Sequence, residues 1–138
     1  MAGQKGRDML LRVGDGGDPA VFTTLAGIRT KTISLSAETV DATSAESPDA
    51  WRELIDGGGV KRVIVSGAGV FKDRQSDARM RELFFAQTTE DWRLIIPDFG
   101  ALEGPFLISE LNYSGEHSGE AAFAVTLESA GAIAFSSL

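Results

Sequence analysis

Apolar residues alternate with small or polar ones in the stretch AAFAVTLE at residues 121–128. Successive side chains of a β-strand point to opposite faces, so this pattern predicts a strand that buries Phe123, Val125 and Leu127. Similar short runs, punctuated by 16 glycines, occur along the rest of the chain. They predict about seven strands, with a break at Gly27, in residues 9–13, 21–36, 60–71, 92–96, 106–113, 121–128 and 133–135.

Other patterns predict which faces are buried and where helices form. In residues 32–36, Ile33 and Leu35 alternate with threonine and serine, which predicts one buried face and one hydroxyl-lined face. Residues 76–87 predict an α-helix that packs an apolar stripe, Met80, Leu83 and Phe84, on a sheet. A helix of about two turns is predicted from Ser47 to the glycines at 57–59, held by burial of Trp51. Trp92 is also expected to be buried.

The fold class follows from this element order. Consecutive strands joined by turns imply antiparallel pairing, and hence two packed antiparallel sheets, as a β-sandwich or small barrel, with one flanking α-helix and a short second helix. The chain has 138 residues, of which 43% are hydrophobic and 24% charged. That length suits a single globular domain over residues 1–138.

Composition excludes several classes of function. The net charge of −7 argues against a protein that binds nucleic acid by neutralising phosphates. Without cysteine, disulfides, thiolate catalysis and cysteine-bound zinc are excluded. The apolar run at residues 9–11 is too short for a signal peptide, and we find no run near the ~20 residues of a membrane helix. We therefore expect synthesis in a cytoplasm and no membrane partner.

No motif supports catalysis, a cofactor or a metal. The single histidine, His117, falls in a glycine-flanked turn that supplies no nucleophile or orienting acid. The segment Gly14–Asp18 resembles a calcium loop only superficially, and a turn explains it better. The glycines at 57–59 follow a predicted helix, whereas a phosphate loop precedes one. The sequence therefore predicts no enzyme and no cofactor.

Charge is unevenly distributed along the chain. Residues 32–51 contain four acidic residues and no lysine or arginine, whereas residues 61–81 contain six basic residues and two acidic ones. These blocks are either solvated faces of mixed sign or complementary patches through which copies of the chain associate head to tail.

Seven segments occur in a fixed order along nearly the whole chain, namely Asp8–Gly14, Thr24–Arg29, Ser36–Asp41, Trp51–Ile55, Ser66–Asp73, Glu103–Phe106 and Tyr113–Glu120. Each segment alone is a common turn or strand, and the specificity lies in their order. The ordered set resembles the major tail protein, or tail tube protein, of long-tailed siphophages and of phage-like gene transfer agents.

The resemblance implies a structural protein that forms hexameric rings, stacked into a hollow tube through which DNA leaves the capsid without specific binding. It implies a place in the tail of the particle, and the tape measure, tail terminator and distal tail proteins as partners. Two alternatives remain open. One is the ring-forming tube protein of a contractile secretion system, and the other is a monomeric β-sandwich binding module, which exposed aromatic residues on a sheet face would favour.

Residues for assembly can also be predicted. The loop at residues 36–50 is long for a compact domain, and in tail tube proteins the corresponding loop lies against a neighbouring subunit or ring. We expect neighbour contacts from five of its residues, Glu38, Thr39, Val40, Asp41 and Asp49. The opposite charges are expected from Lys72, Arg74 or Arg79. The hydroxyl residues Thr30, Thr32 and Ser34 are predicted to face the lumen.

Overall fold

The computed structural model describes residues 9–17, 21–25, 27–70, 75–115, 117 and 119–137. Within them the chain forms eight strands and one α-helix. The strands are β1 (Leu10–Gly14), β2 (Phe22–Thr24), β3 (Ile28–Ala37), β4 (Lys61–Val70), β5 (Glu90–Ile96), β6 (Gly100–Ser114), β7 (Ala122–Ser129) and β8 (Ala134–Ser136). The helix α1 (Gln75–Ala86) connects β4 to β5, and a single 3-10 turn spans Pro48–Ala50.

The strands form one antiparallel sheet in the order β2-β1-β5-β6-β7-β4-β3, with β8 paired to β6. The 15-residue strand β6 joins two halves of this sheet, because residues 100–106 pair with β5 and residues 106–114 pair with β7. We call β3, β4, β7 and residues 107–114 of β6 the long half-sheet. The remaining strands form the short half-sheet.

One apolar core joins the two half-sheets and the helix. The alternation predicted for residues 121–128 is confirmed, since Phe123, Val125 and Leu127 of β7 are all buried. Met80 and Leu83 bring α1 against the same side of the long half-sheet. The short half-sheet completes the core cluster with Leu11, Val13, Trp92, Leu94, Leu102 and Phe106.

The predicted fold class, mainly β with antiparallel pairing and one flanking α-helix, is confirmed. The two packed sheets of the prediction are the two halves of one sheet, because hydrogen bonding runs continuously through β6 from one half to the other. The predicted helix at 76–87 is confirmed within one residue. The short second helix is only the 3-10 turn, because Asp49 and Ala50 have positive φ angles of 50° and 61° that cannot continue a helix.

Three predicted burials are wrong. Trp51 is 72% exposed because the chain after the 3-10 turn runs extended, away from the core. Leu35 is 68% exposed because it lies near the end of the edge strand β3, where it lines an open pocket together with Leu102 and Phe135 of the short half-sheet. Phe84 is 36% exposed because α1 lies near the edge of the long half-sheet, so that only Met80 and Leu83 are fully covered.

Candidate assembly surfaces

One face of the long half-sheet carries mainly small and hydroxyl side chains. Cross-strand partners lie on the same face of a sheet, and the register aligns Thr32 with Ser66, Thr126 and Glu110 in successive strands. The row on one side contains Thr30, Ala68, Ala124 and Asn112, and the row on the other side contains Ser34, Ile64, Glu128 and Leu107. We call this the hydroxyl face. The hydroxyl face lies on the side of the sheet opposite the core and α1. The predicted lumen residues Thr30, Thr32 and Ser34 all belong to this face, and all three are exposed.

The long half-sheet has two open edges in the described part of the chain. Strand β3 pairs only with β4, and residues 107–114 of β6 pair only with β7. Each of the three ladders between these edges is antiparallel, so β3 and β6 run in opposite directions. Unpaired strand edges expose backbone donors and acceptors to which another strand can add.

Residues 38–60 connect β3 to β4 as a folded-back extension that we call the arm. Backbone N–H groups hold its two sides together, with Glu38 donating to Val60 O, Ile55 to Val40 O and Ala42 to Glu53 O, each at 2.9 Å. Gly59 is needed at its base, because a Cβ there would lie 1.6 Å from the Glu38 carbonyl oxygen. The arm therefore continues the β3–β4 hairpin beyond the sheet.

The surface of the arm is both apolar and acidic. It carries six carboxylates and one guanidinium, a net charge of −5. Five large apolar side chains on it are exposed, namely Val40, Trp51, Leu54, Ile55 and Val60. Apolar side chains clustered on an exposed segment indicate a surface that another molecule covers.

All five predicted contact residues of the loop lie on the arm and are exposed. Glu38 and Val40 form its backbone pairs, and Asp49 lies in the 3-10 turn. The hydroxyl and the N–H of Thr43 hydrogen-bond Asp41, which lowers the pKa of its carboxyl below the ordinary value. These bonds organise the tip of the arm, and whether the five residues contact a neighbour stays a prediction.

Of the three basic residues predicted to pair with the acidic residues of the arm, only Arg79 lies in the described part of the chain. Arg79 is engaged within its own subunit, where its Nη2 lies 2.5 Å from Glu90 and its Nε donates to Gly14 O at 3.2 Å. It joins α1 to β1 and β5, and whether it also pairs with an acidic residue of a neighbour stays a prediction. Lys72 and Arg74 lie outside the described residues.

A groove of about 450 Å³ lies between α1 and β6. Phe84, Phe85, Leu111 and Tyr113 line it, together with Asp77, Ala78 and Arg81 of the helix. Phe85 is 79% exposed and packs edge to face against Phe84, with ring centroids 5.6 Å apart. We call this the aromatic groove. The sequence pattern does not single out Phe85, because this residue lies outside the buried stripe of α1.

The described residues contain no group of three or more His, Asp or Glu that could hold a metal ion. His117 is exposed. The carboxylate of Asp15 accepts from the N–H groups of Gly17 and Val21, which lowers the pKa of Asp15 and holds residues 15–17 in a bend. Asp18 lies outside the described residues. In the described part of the chain, no helix is long and apolar enough to span a membrane.

Comparisons with solved structures match this architecture to phage-like tails. The virion of a native gene transfer agent particle contains a chain 45% identical to this one, with a TM-score of 0.89. A chain in the tail of an empty gene transfer agent particle, solved with C6 symmetry, is also 45% identical, with a TM-score of 0.91. Both matches cover 98% of this chain and 100% of the other.

A more distant structure shares the fold alone. The SPP1 tail tube is 12% identical, with a TM-score of 0.72, over 97% of this chain and 79% of that one. No curated protein sequence matches significantly. The family described as phage tail tube protein matches residues 3–135, nearly the full length. The chain therefore belongs to the phage tail tube protein family.

Proposed function

We propose that this chain assembles into hexameric rings that stack into the hollow tail tube of a phage-like particle, of the kind a gene transfer agent carries, and that DNA leaves through the tube. The long half-sheet carries this proposal, because it combines two open edges with one uncovered face of small polar side chains. The whole chain, residues 1–138, serves as one tail-tube domain.

Ring closure follows from the direction of the edge strands. Because β3 and β6 run in opposite directions, β3 of one subunit can add to β6 of the next and continue the antiparallel ladder. The same contact repeated about an axis closes a ring and removes every open edge of the long half-sheet. The C6 symmetry of the related tail supports six copies.

The hydroxyl face then lines the bore, since the core and α1 lie on its other side. Thr30, Thr32 and Ser34 form part of this wall, which offers hydrogen-bonding groups but few cations. Each phosphate that a wall neutralises adds to its affinity for DNA, so a bore without a basic footprint lets DNA pass without retention. We assign the protein no enzymatic activity and no cofactor.

Ring stacking is the role of the arm, which extends beyond the sheet and exposes apolar and acidic residues. We place Glu38, Thr39, Val40, Asp41 and Asp49 in contact with a neighbouring subunit or ring. Exposed ion pairs contribute only about 0–1 kcal/mol each, but they repeat at every subunit of a tube. The tail would also bring the chain into contact with tape measure, tail terminator and distal tail proteins.

Negative-stain electron microscopy of the purified protein at rising concentration tests the proposal. We expect hollow tubes built from sixfold rings. The double variant Glu38→Lys with Asp41→Lys should keep the circular dichroism of the folded subunit and lose the tubes. The double variant Asp91→Lys with Glu120→Lys makes the same charge change at two exposed residues outside the arm and should still form tubes.

Two outcomes would each contradict a different part of the proposed function. A wild-type protein that stays monomeric at every concentration would overturn the tube itself. Normal tubes from the arm variant would overturn the role of the arm while leaving the ring in place.

A further inference from the structure

We propose that the aromatic groove of each subunit receives Leu35 and Ile33 from β3 of the neighbouring subunit in the same ring. The inference rests on the proposed function, because it requires that β3 of one copy add to β6 of the next. It specifies the side chains and the register of that contact.

The groove and Leu35 lie on the same face of the long half-sheet. Leu111 lines the groove, and the register aligns it across the sheet with Val125, Gly67 and Lys31. Because side chains alternate between faces with period two, Leu35 shares the face of Lys31. When the two edges join, the exposed Leu35 of one copy therefore lies on the groove side of its neighbour's sheet.

Strand tilt sets the register of the contact. Strands of a closed barrel tilt by about 35–45°, and a tilt near 36° corresponds to a stagger of about one residue per strand. Because each subunit supplies four strands, its β6 and the β3 of the next subunit are offset by about four residues from the level alignment. An even offset keeps every side chain on its own face of the sheet. One direction of stagger puts Leu35 of the neighbour beside Leu111, and Ile33 beside Tyr113.

The alternative registers leave the apolar surfaces uncovered. With no stagger, Leu111 would face Lys31 of the neighbour, whose ammonium group already binds the Met9 carbonyl oxygen of its own subunit. A stagger in the opposite direction would put Gly27 beside Leu111, just before β3 begins. Only the register that pairs Leu35 with Leu111 covers the groove with aliphatic side chains.

The occupant is a second copy of this chain, because both halves of the contact occur on every subunit. Leu35 protrudes at one open edge, and Phe84, Phe85 and Tyr113 surround a groove at the other. Two complementary patches on opposite edges make a heterologous interface, which repeats around a closed ring.

Engineered disulfides test the register, since the native chain has no cysteine. We expect the pair Leu35→Cys with Leu111→Cys, and the pair Ile33→Cys with Tyr113→Cys, to oxidise into a ladder that ends at a covalently closed hexamer. The single-cysteine variants and the pair Lys31→Cys with Leu111→Cys are matched controls, which should run as monomers or scattered dimers on a non-reducing gel.

A surface substitution supplies an independent readout. Phe85→Ala should raise the protein concentration needed for assembly at least about tenfold, as expected for an aromatic side chain at the centre of an interface. The midpoint of urea unfolding of the free subunit should not change, because this side chain is exposed.

The outcomes separate this inference from the proposed function. Tubes that cross-link only through the Lys31 pair, or through no pair, would overturn the groove contact and leave the tube intact. Unchanged assembly of Phe85→Ala would do the same. A wild-type protein that forms no rings would overturn both.

Discussion

Trp51 is the most exposed of the large apolar residues on the arm. Its truncation should weaken the stacking of rings without unfolding the subunit. A tryptophan buries up to about 250 Å² on full coverage. Since 72% of the residue is exposed, about 180 Å² remains to be covered in an assembly. At about 25 cal/mol per Å², complete coverage would contribute about 4 kcal/mol, and half coverage about 2 kcal/mol.

We therefore expect Trp51→Ala to raise the critical concentration for tube formation by about 30-fold, which corresponds to about 2 kcal/mol. Sedimentation of tubes from a concentration series measures this quantity. The free energy of unfolding of the subunit should change by less than about 0.5 kcal/mol, because the side chain contacts little in its own subunit. Val21→Ala is the matched control, since Val21 is an exposed apolar residue outside the arm.

Fluorescence gives a second measurement on the same residue. Trp92 is fully buried and Trp51 exposed, so iodide should quench about half of the tryptophan emission of free subunits. Tube formation should protect Trp51, and Trp51→Phe should abolish this change. If Trp51→Ala forms tubes at the wild-type concentration and Trp51 stays quenchable within them, the assignment of the arm to stacking is wrong.

Three further predictions concern the subunit alone. Met80→Ala should lower the free energy of unfolding in urea by about 2–5 kcal/mol, because Met80 is 0% exposed and its truncation leaves a cavity. A double-mutant cycle with Arg79→Met and Glu90→Gln should give a coupling energy of about 1–2 kcal/mol, since the pair is largely buried at 2.5 Å. In a carbon-13 titration, the pKa of Asp41 should lie below its ordinary value, and Thr43→Ala should raise it. Because the folded state depresses this pKa, the stabilisation is present above the unfolded pKa and is lost as the pH falls through the folded value.

The sequence predicted best those elements whose burial lies within one subunit. Strand β7 has a paired strand on each side and the core against one face, so Phe123, Val125 and Leu127 follow a clean period of two. Helix α1 was predicted within one residue because Met80 and Leu83 pack into the same core at helical spacing. Local pattern and tertiary burial agree in these elements.

The misses have two physical causes. Trp51, Leu54 and Ile55 have the spacing of a buried helical face, yet the bridge between Asp41 and Leu54 holds this segment extended. That bridge joins residues 13 positions apart, which no local pattern predicts. Leu35 and Phe84 lie near the edges of the long half-sheet and are exposed in the subunit. A local pattern identifies an apolar residue, but not whether it lies at the centre or at the edge of a sheet.

Open strand edges and exposed apolar side chains usually lead to disordered aggregation, and the charge of this chain opposes that outcome. Copies with a net charge of −7 repel one another, so a stable contact must bury enough complementary surface to overcome the repulsion. The arms repel most strongly, since each carries a net charge of −5. Contacts between two arms are therefore disfavoured, so an arm that contacts a neighbour, as we propose, would bind a different surface of it. Contacts between two different surfaces repeat in one direction. A tube grows in this way, whereas a twofold dimer, whose contact joins identical surfaces, cannot.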